Sequence, residues 1–142
     1  MRDITGSRDP QKILLKINQV RGEVAETEVI KSFLMDNTVQ RRSRKIKERI
    51  EKVFSVQTGS GDTFRFKILL TTTNHIPRAT KSALINALPI LVENLLKKKS
   101  ANDVFATDSR IKLSKEIKKG LSGIYPINNV YVWKVSLLSR AK

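Results

Sequence analysis

Seven bases crowd into residues 41–52: Arg41, Arg42, Arg44, Lys45, Lys47, Arg49 and Lys52, against only Glu48 and Glu51. The chemistry such a run supports is non-covalent. Guanidinium and ammonium groups pair with phosphate oxygens and release condensed counterions, without reading sequence. A second cluster, Arg110, Lys112, Lys115, Lys118 and Lys119, has Glu116 as its one acid. The plain alternative for both is a solvated face kept soluble by charge. Solvated faces interleave the two signs, whereas this excess is one-sided, which favours contact with a polyanion.

Other chemistries find little material. There is no cysteine, so thiolate nucleophiles, disulfides and thiolate metal sites are excluded. The single histidine, His75, cannot build a histidine zinc site alone. Within TTTNHIPR it reads as a turn residue. No phosphate-binding glycine loop of the P-loop or dinucleotide type is present. The carboxylates are scattered, with no tight set for Mg²⁺. The expectation is a protein that is not an enzyme and needs no cofactor or metal.

Charge divides the chain. Of its 28 Lys/Arg and 13 Asp/Glu, six of each fall in residues 1–36; the other 22 bases and 7 acids carry the whole net charge of +15. A body that basic repels itself, so a polyanionic partner is the first expectation. The neutral segment suits contact with protein. At 142 residues one domain is expected, with a core of ordinary size. The longest apolar run, Ala87 to Val92, is far too short to span a bilayer, and MRDITGSRDP holds no apolar signal core. The reading is a soluble protein of the cytoplasm, or of a virion assembled in the cell, with no membrane partner.

Several elements must position these groups. Residues 1–9 read as a polar arm. Ile13, Ile17, Val20 and Val24 recur at +4, +3 and +4, which predicts a helical stripe over 10–36, bent at Gly22, as a protein-interface candidate. Val39, Ser43, Ile46, Ile50 and Val53 fall on one face of a predicted amphipathic helix 38–53, with the bases on its other faces. Phe54 and Val56, the turn 58–62, and then Phe64, Phe66, Ile68 and Leu70 predict a β-hairpin with Arg65 and Lys67 pointing away from the core. Leu84, Leu88, Leu91 and Leu95 predict a helix kinked or split by Pro89. A short basic helix over 109–119 stops at Gly120, and alternation through Tyr131, Trp133, Val135 and Leu137 predicts a last strand. The fold class is α+β: N-terminal helices, a hairpin, a kinked helix, a short basic helix and a C-terminal strand around a small, mainly antiparallel sheet. The single domain divides into arm 1–9, neutral helical segment 10–36 and basic body 37–142.

Aromatic stacking on bases needs exposed rings. Phe64, Phe66, Tyr131 and Trp133 all alternate with bases on a strand, and core packing is the better reading for each. Gly120-Leu121-Ser122-Gly123 after Lys118-Lys119 is similar to the GxxG loop of KH domains. A KH loop joins two helices, however, and residues 124–129 are a poor helix, so the tetrad reads as a helix stop and turn.

A broader layout, an apolar N-terminal helix, a further helix, a hairpin, and Thr73-Asn74-His75-Ile76-Pro77 leading into Ala83-Leu84 and a long helix, resembles the tail-completion (minor tail) proteins of bacteriophages over residues 11–98. That resemblance implies a ring-forming subunit at a head–tail junction with a basic surface facing DNA. The leading expectation is a non-catalytic protein that binds DNA or RNA phosphates largely without sequence specificity through 38–53 and 110–119. The virion ring subunit, a homo-oligomer or member of a multi-protein assembly, is the alternative. A ribosome-like RNA-bound subunit is a third.

Overall fold

The computed structural model describes residues 11–44 and 48–140. The arm 1–9 and three residues of the predicted basic helix, Lys45, Ile46 and Lys47, lie outside the described residues.

The strand after the central turn organises the rest. In β4 (Thr63–Thr72), Phe64, Phe66, Ile68 and Leu70 are fully buried on one face, and Leu69 is fully buried on the other. A strand buried on both faces belongs inside a sheet. It pairs with β3 (Glu48–Gln57) over ten positions, from Glu48–Thr72 to Gln57–Thr63. On its other side it pairs with β5 (Asn129–Ser139). β5 in turn meets β2 (Val24–Leu34) at Lys31–Ser136, Ser32–Val135 and Phe33–Lys134. β1 (Gln11–Arg21) pairs with β2 along its whole length. The order is β1-β2-β5-β4-β3, with every neighbouring pair antiparallel.

Two layers cover this sheet unequally. On one face, α2 (Arg78–Leu96) and α4 (Thr107–Leu121), with the short α3 (Ala101–Phe105), close the main core. Leu84, Leu88, Val92 and Leu96 of α2 meet Leu113, Ile117 and Leu121 of α4 over the β4 phenylalanines. On the other face, the eight-residue α1 (Asp36–Ser43) seats Val39 in a small cluster with Leu34, Leu69 and Trp133.

The α+β class and the mainly antiparallel sheet hold, as does the hairpin around residues 58–62. The core assignment of Phe64, Phe66 and Trp133 holds as well. The N-terminal helices do not. Residues 11–34 form a β-hairpin, in which Arg21 pairs with Val24 across Gly22-Glu23. Gly22 has φ +61°, as a tight hairpin turn requires of its first central residue. The β-branched content of Ile13, Ile17, Val20 and Val24 prevails over their helical spacing, because a strand stores such side chains without crowding a preceding turn.

The long helix 38–53 is also corrected. It ends at Ser43, and β3 begins at Glu48. Ile50, Phe54 and Val56 alternate onto the core, and the six residues of β4 from Lys67 to Thr72 would lack a ladder partner on this side if β3 began only at Phe54. At Pro89 a single α-helix runs through, neither split nor ended. Leu88 and Val92, buried on either side of the proline, hold both halves on the same core.

Candidate nucleic-acid interface

Alternation places the charges. Residues directly opposite each other in an antiparallel pair project from the same face. One row across the sheet therefore holds Lys12, Phe33, Lys134, Lys67 and Val53, and the next holds Lys31, Ser136, Arg65 and Ser55. This is the face that α1 covers in part, since Leu69 stands on it two residues beyond Lys67. α1 adds Arg41 and Arg42 in its last turn and Arg44 at its C-cap, all exposed. Arg49, at the start of β3, projects from the same side.

Aromatic rings interleave with these cations. The Lys67 ammonium lies 3.9 Å from the centre of the Trp133 ring and the Lys134 ammonium 5.7 Å from it. Lys31 lies 5.4 Å from the Phe33 ring. Cation–π contact of this kind stabilises by about 0.5–2 kcal/mol depending on desolvation, and here it keeps the ammonium groups beside the rings. Glu51 is one acid among them, bonded to Arg49 at 2.8 Å and 3.9 Å from Lys67. Phe33 is half-buried beside an open cleft of about 250 Å³, which it lines with Lys12, Asp36, Asn37 and Lys134. Trp133, by contrast, is 7% exposed and is held by its indole to Asp36.

The bases singled out in the sequence therefore do not form one surface. Arg41, Arg42, Arg44 and Arg49 share the α1 face. Lys52 stands opposite Ile68, points toward the helix layer and is half-buried. Lys112, Lys115, Lys118 and Lys119 are exposed on α4, across the sheet. Lys118 also donates to the Asn128 carbonyl at 2.8 Å. Arg110 is only 8% exposed, so it does not stand on that surface with the lysines. Its Nη2 donates to Ser32 Oγ at 2.7 Å, and burial pushes its guanidinium down to about 10. The ladder Lys12, Lys31, Arg65, Lys67 and Lys134 was missed as a unit. Each residue carries the strand-alternation signal, but their adjacency depends on β5 lying between β2 and β4.

The interface candidates Ile13, Ile17, Val20 and Val24 are exposed, from 47% to 65%, on the β1–β2 hairpin rather than on a helix. β2 meets β5 at three positions only, so most of the hairpin stands clear of the sheet, and β1 is an edge strand. Arg140 ties the divergent part back by an ion pair with Glu28.

His75 sits in an exposed turn, with Nδ1 2.9 Å from Glu48 Oε1. Lys81 reaches the other Glu48 oxygen at 3.5 Å. The hydrogen bond from His75, with the Lys81 charge, holds the Glu48 carboxyl below its ordinary value. The trio ties the start of β3 to the start of α2. Among the described residues no group of three or more His, Asp or Glu is placed to hold a metal, and no helix is long and apolar enough to cross a membrane.

A small α+β protein with a cationic sheet face has the charge pattern that suits a polyanionic partner. The chain belongs to the Ribosomal S3Ae family, whose model matches residues 1–141. It is similar to the small ribosomal subunit protein eS1 of Methanocaldococcus jannaschii, 25% identical over 146 residues, with all of this chain and 65% of the relative covered. The eS1 proteins of Haloquadratum walsbyi and Thermoplasma acidophilum are 26% and 24% identical, with 97% and 96% of this chain covered. The chain spans 65–66% of the length of these curated relatives.

Family membership overturns the resemblance to phage tail-completion proteins. That likeness rested on an N-terminal helix that is a hairpin and on one degenerate turn, whereas the family match runs along nearly the whole chain. The family is one of ribosomal proteins, in agreement with the expectation of a non-catalytic chain. Gly120-Leu121-Ser122-Gly123 closes α4 and leads to β5, as a helix stop does, with no KH-type second helix.

Proposed function

We propose that this protein is a structural, RNA-binding component of the small ribosomal subunit in the cytoplasm, gripping RNA backbone through the α1 face of its sheet. The observation that carries this reading is the cation ladder Lys12, Lys31, Arg65, Lys67 and Lys134, flanked by Arg41, Arg42, Arg44 and Arg49, with Glu51 and Asp36 as its local acids. The eS1 relatives are small-subunit proteins by name, which supports RNA as the polyanion. The face offers backbone contacts and two half-buried rings, Phe33 and Tyr131, a composition suited to shape and phosphate recognition more than to base readout. Lys112, Lys118 and Lys119 form a lesser surface on α4. Lys45 and Lys47 lie outside the described residues.

The β1–β2 hairpin serves protein contact in this reading. Its exposed Ile13, Ile17, Val20 and Val24 stand on a segment of nearly balanced charge, which phosphates would not select. The test is RNA binding across a salt series. A log K against log salt slope of about five or more released counterions, steeper for structured RNA than for duplex DNA, is expected. Negligible binding at moderate salt overturns the reading.

A further inference from the structure

Arg110 is a buried cation for which the described residues supply no acid. Its Nη2 is bonded to a neutral hydroxyl, Ser32 Oγ, and its Nη1 is buried with no partner. The depression of its ionisation to about 10 has burial as its cause. A desolvated guanidinium without a counter-charge costs several kcal/mol, and buried polar nitrogens are nearly always satisfied.

The residue also lines an open cleft of about 200 Å³ with Leu34, Ser114, Lys115, Tyr131 and Val132. At about 30 Å³ per water of liquid volume, that is room for roughly six waters, hence for a partly hydrated tetrahedral anion. The cleft's place in the fold is particular. β2 ends at Leu34, so β5 has no neighbour on that side below Trp133. Tyr131 belongs to the layer under α1, and Val130 and Val132 belong to the helix layer. The cleft thus opens at the sheet edge where the two basic surfaces meet.

We infer that this cleft is a socket for one phosphate group, with Arg110 at its floor and Lys115 and Ser114 at its mouth. The inference rests on the RNA reading for the source of the phosphate. A backbone phosphate seated there lets one RNA strand pass from the sheet face to α4 around the open edge of β5. Arg110 is then matched with an anion only in the bound state, which makes it a binding group and not a fold-holding one.

The test is thermal melting of the 142-residue chain in inorganic phosphate against chloride at equal ionic strength, for the wild type, Arg110→Met and Lys115→Ala. Phosphate should raise the wild-type midpoint, as any ligand of the folded state does. Arg110→Met should melt no lower than wild type in chloride, because an uncompensated buried charge has been replaced by an apolar chain of similar length. It should lose the phosphate response and bind RNA about tenfold more weakly. Lys115→Ala, an exposed change, should show a reduced response. If Arg110→Met does not fold, the Lys115→Ala comparison decides. Equal phosphate shifts in wild type and in each folded variant would mean an adventitious ion only and would overturn the socket. Absence of salt-dependent RNA binding by the wild type would instead overturn the RNA reading, and the phosphate comparison would still stand.

Discussion

The indole Nε1 of Trp133 donates to Asp36 Oδ1 at 3.0 Å, fastening the centre of β5 to the first turn of α1. This bond, with Val39 in the small cluster, helps to set where Arg41, Arg42 and Arg44 stand over the sheet. Trp133→Phe keeps most of the apolar contact and leaves the Asp36 oxygen without its donor. It should cost about 1 kcal/mol, whereas Trp133→Ala should cost about 3–5 kcal/mol. Urea unfolding checks both. A loss for Phe equal to that for Ala would mean that the bond, not the ring, holds α1.

The two basic surfaces make separable predictions for RNA binding. Arg65→Glu with Lys134→Glu, or Arg41→Glu with Arg44→Glu, should lower the salt slope by about 1 per residue and weaken binding at least tenfold. Lys112→Glu with Lys119→Glu on α4 should do less. Titrations at several salt concentrations compare the three pairs. An equal loss from the α4 pair would move the interface to the helix layer.

Acid should act on the link between β3 and α2. The folded Glu48 carboxyl is held below its ordinary value by the His75 hydrogen bond and by Lys81. Its contribution is therefore fully present above the ordinary carboxylate range and lost as pH falls through the depressed folded value. Glu48→Gln should lower stability near neutral pH and flatten its decline below about pH 5. Melting between pH 3 and 7 reads the difference; parallel curves for variant and wild type would remove the link.

Gly59 sits against the C-terminal end of α2, where an added Cβ would lie 1.7 Å from the Lys97 carbonyl oxygen. Backbone on both sides leaves nothing flexible to yield. Gly59→Ala should cost about 2 kcal/mol or more, seen as a lower urea midpoint. Gly123→Ala, with open space around it, is the control expected to change little.

What was legible in the sequence depends on how much each element carries its own evidence. The strand Phe64–Leu70 was readable because its alternation is strict and its turn, Thr58 to Asp62, is rich in Gly and Ser. Leu84, Leu88 and their neighbours were readable because a leucine stripe of that length has few other uses. The hairpin 11–34 was not, because Ile13, Ile17, Val20 and Val24 match helical spacing by coincidence. Their exposure removes the in–out alternation that marks a strand, leaving Gly22 as its local signal. Residues 38–53 failed for another reason: Ile50 and Val53 suit a helix locally, but the unpaired edge of β4 claims them, and that demand is non-local. In the same way Arg110 reads as one more surface base among lysines until β2 places Ser32 beside it.

The position of β5 sets a timetable for folding. Its partners Lys31 and Arg65 are joined to Ser136 across about a hundred and about seventy residues. Two hairpins, β1–β2 and β3–β4, precede β5 in the chain and lie on opposite sides of the place it fills. Until it arrives, both expose a ladder edge able to pair with any passing strand, and loop closure over such distances is slow. A polyanion that draws β2 and β4 together over their facing lysines and arginines would shorten that wait, acting as a template for the sheet as well as its ligand.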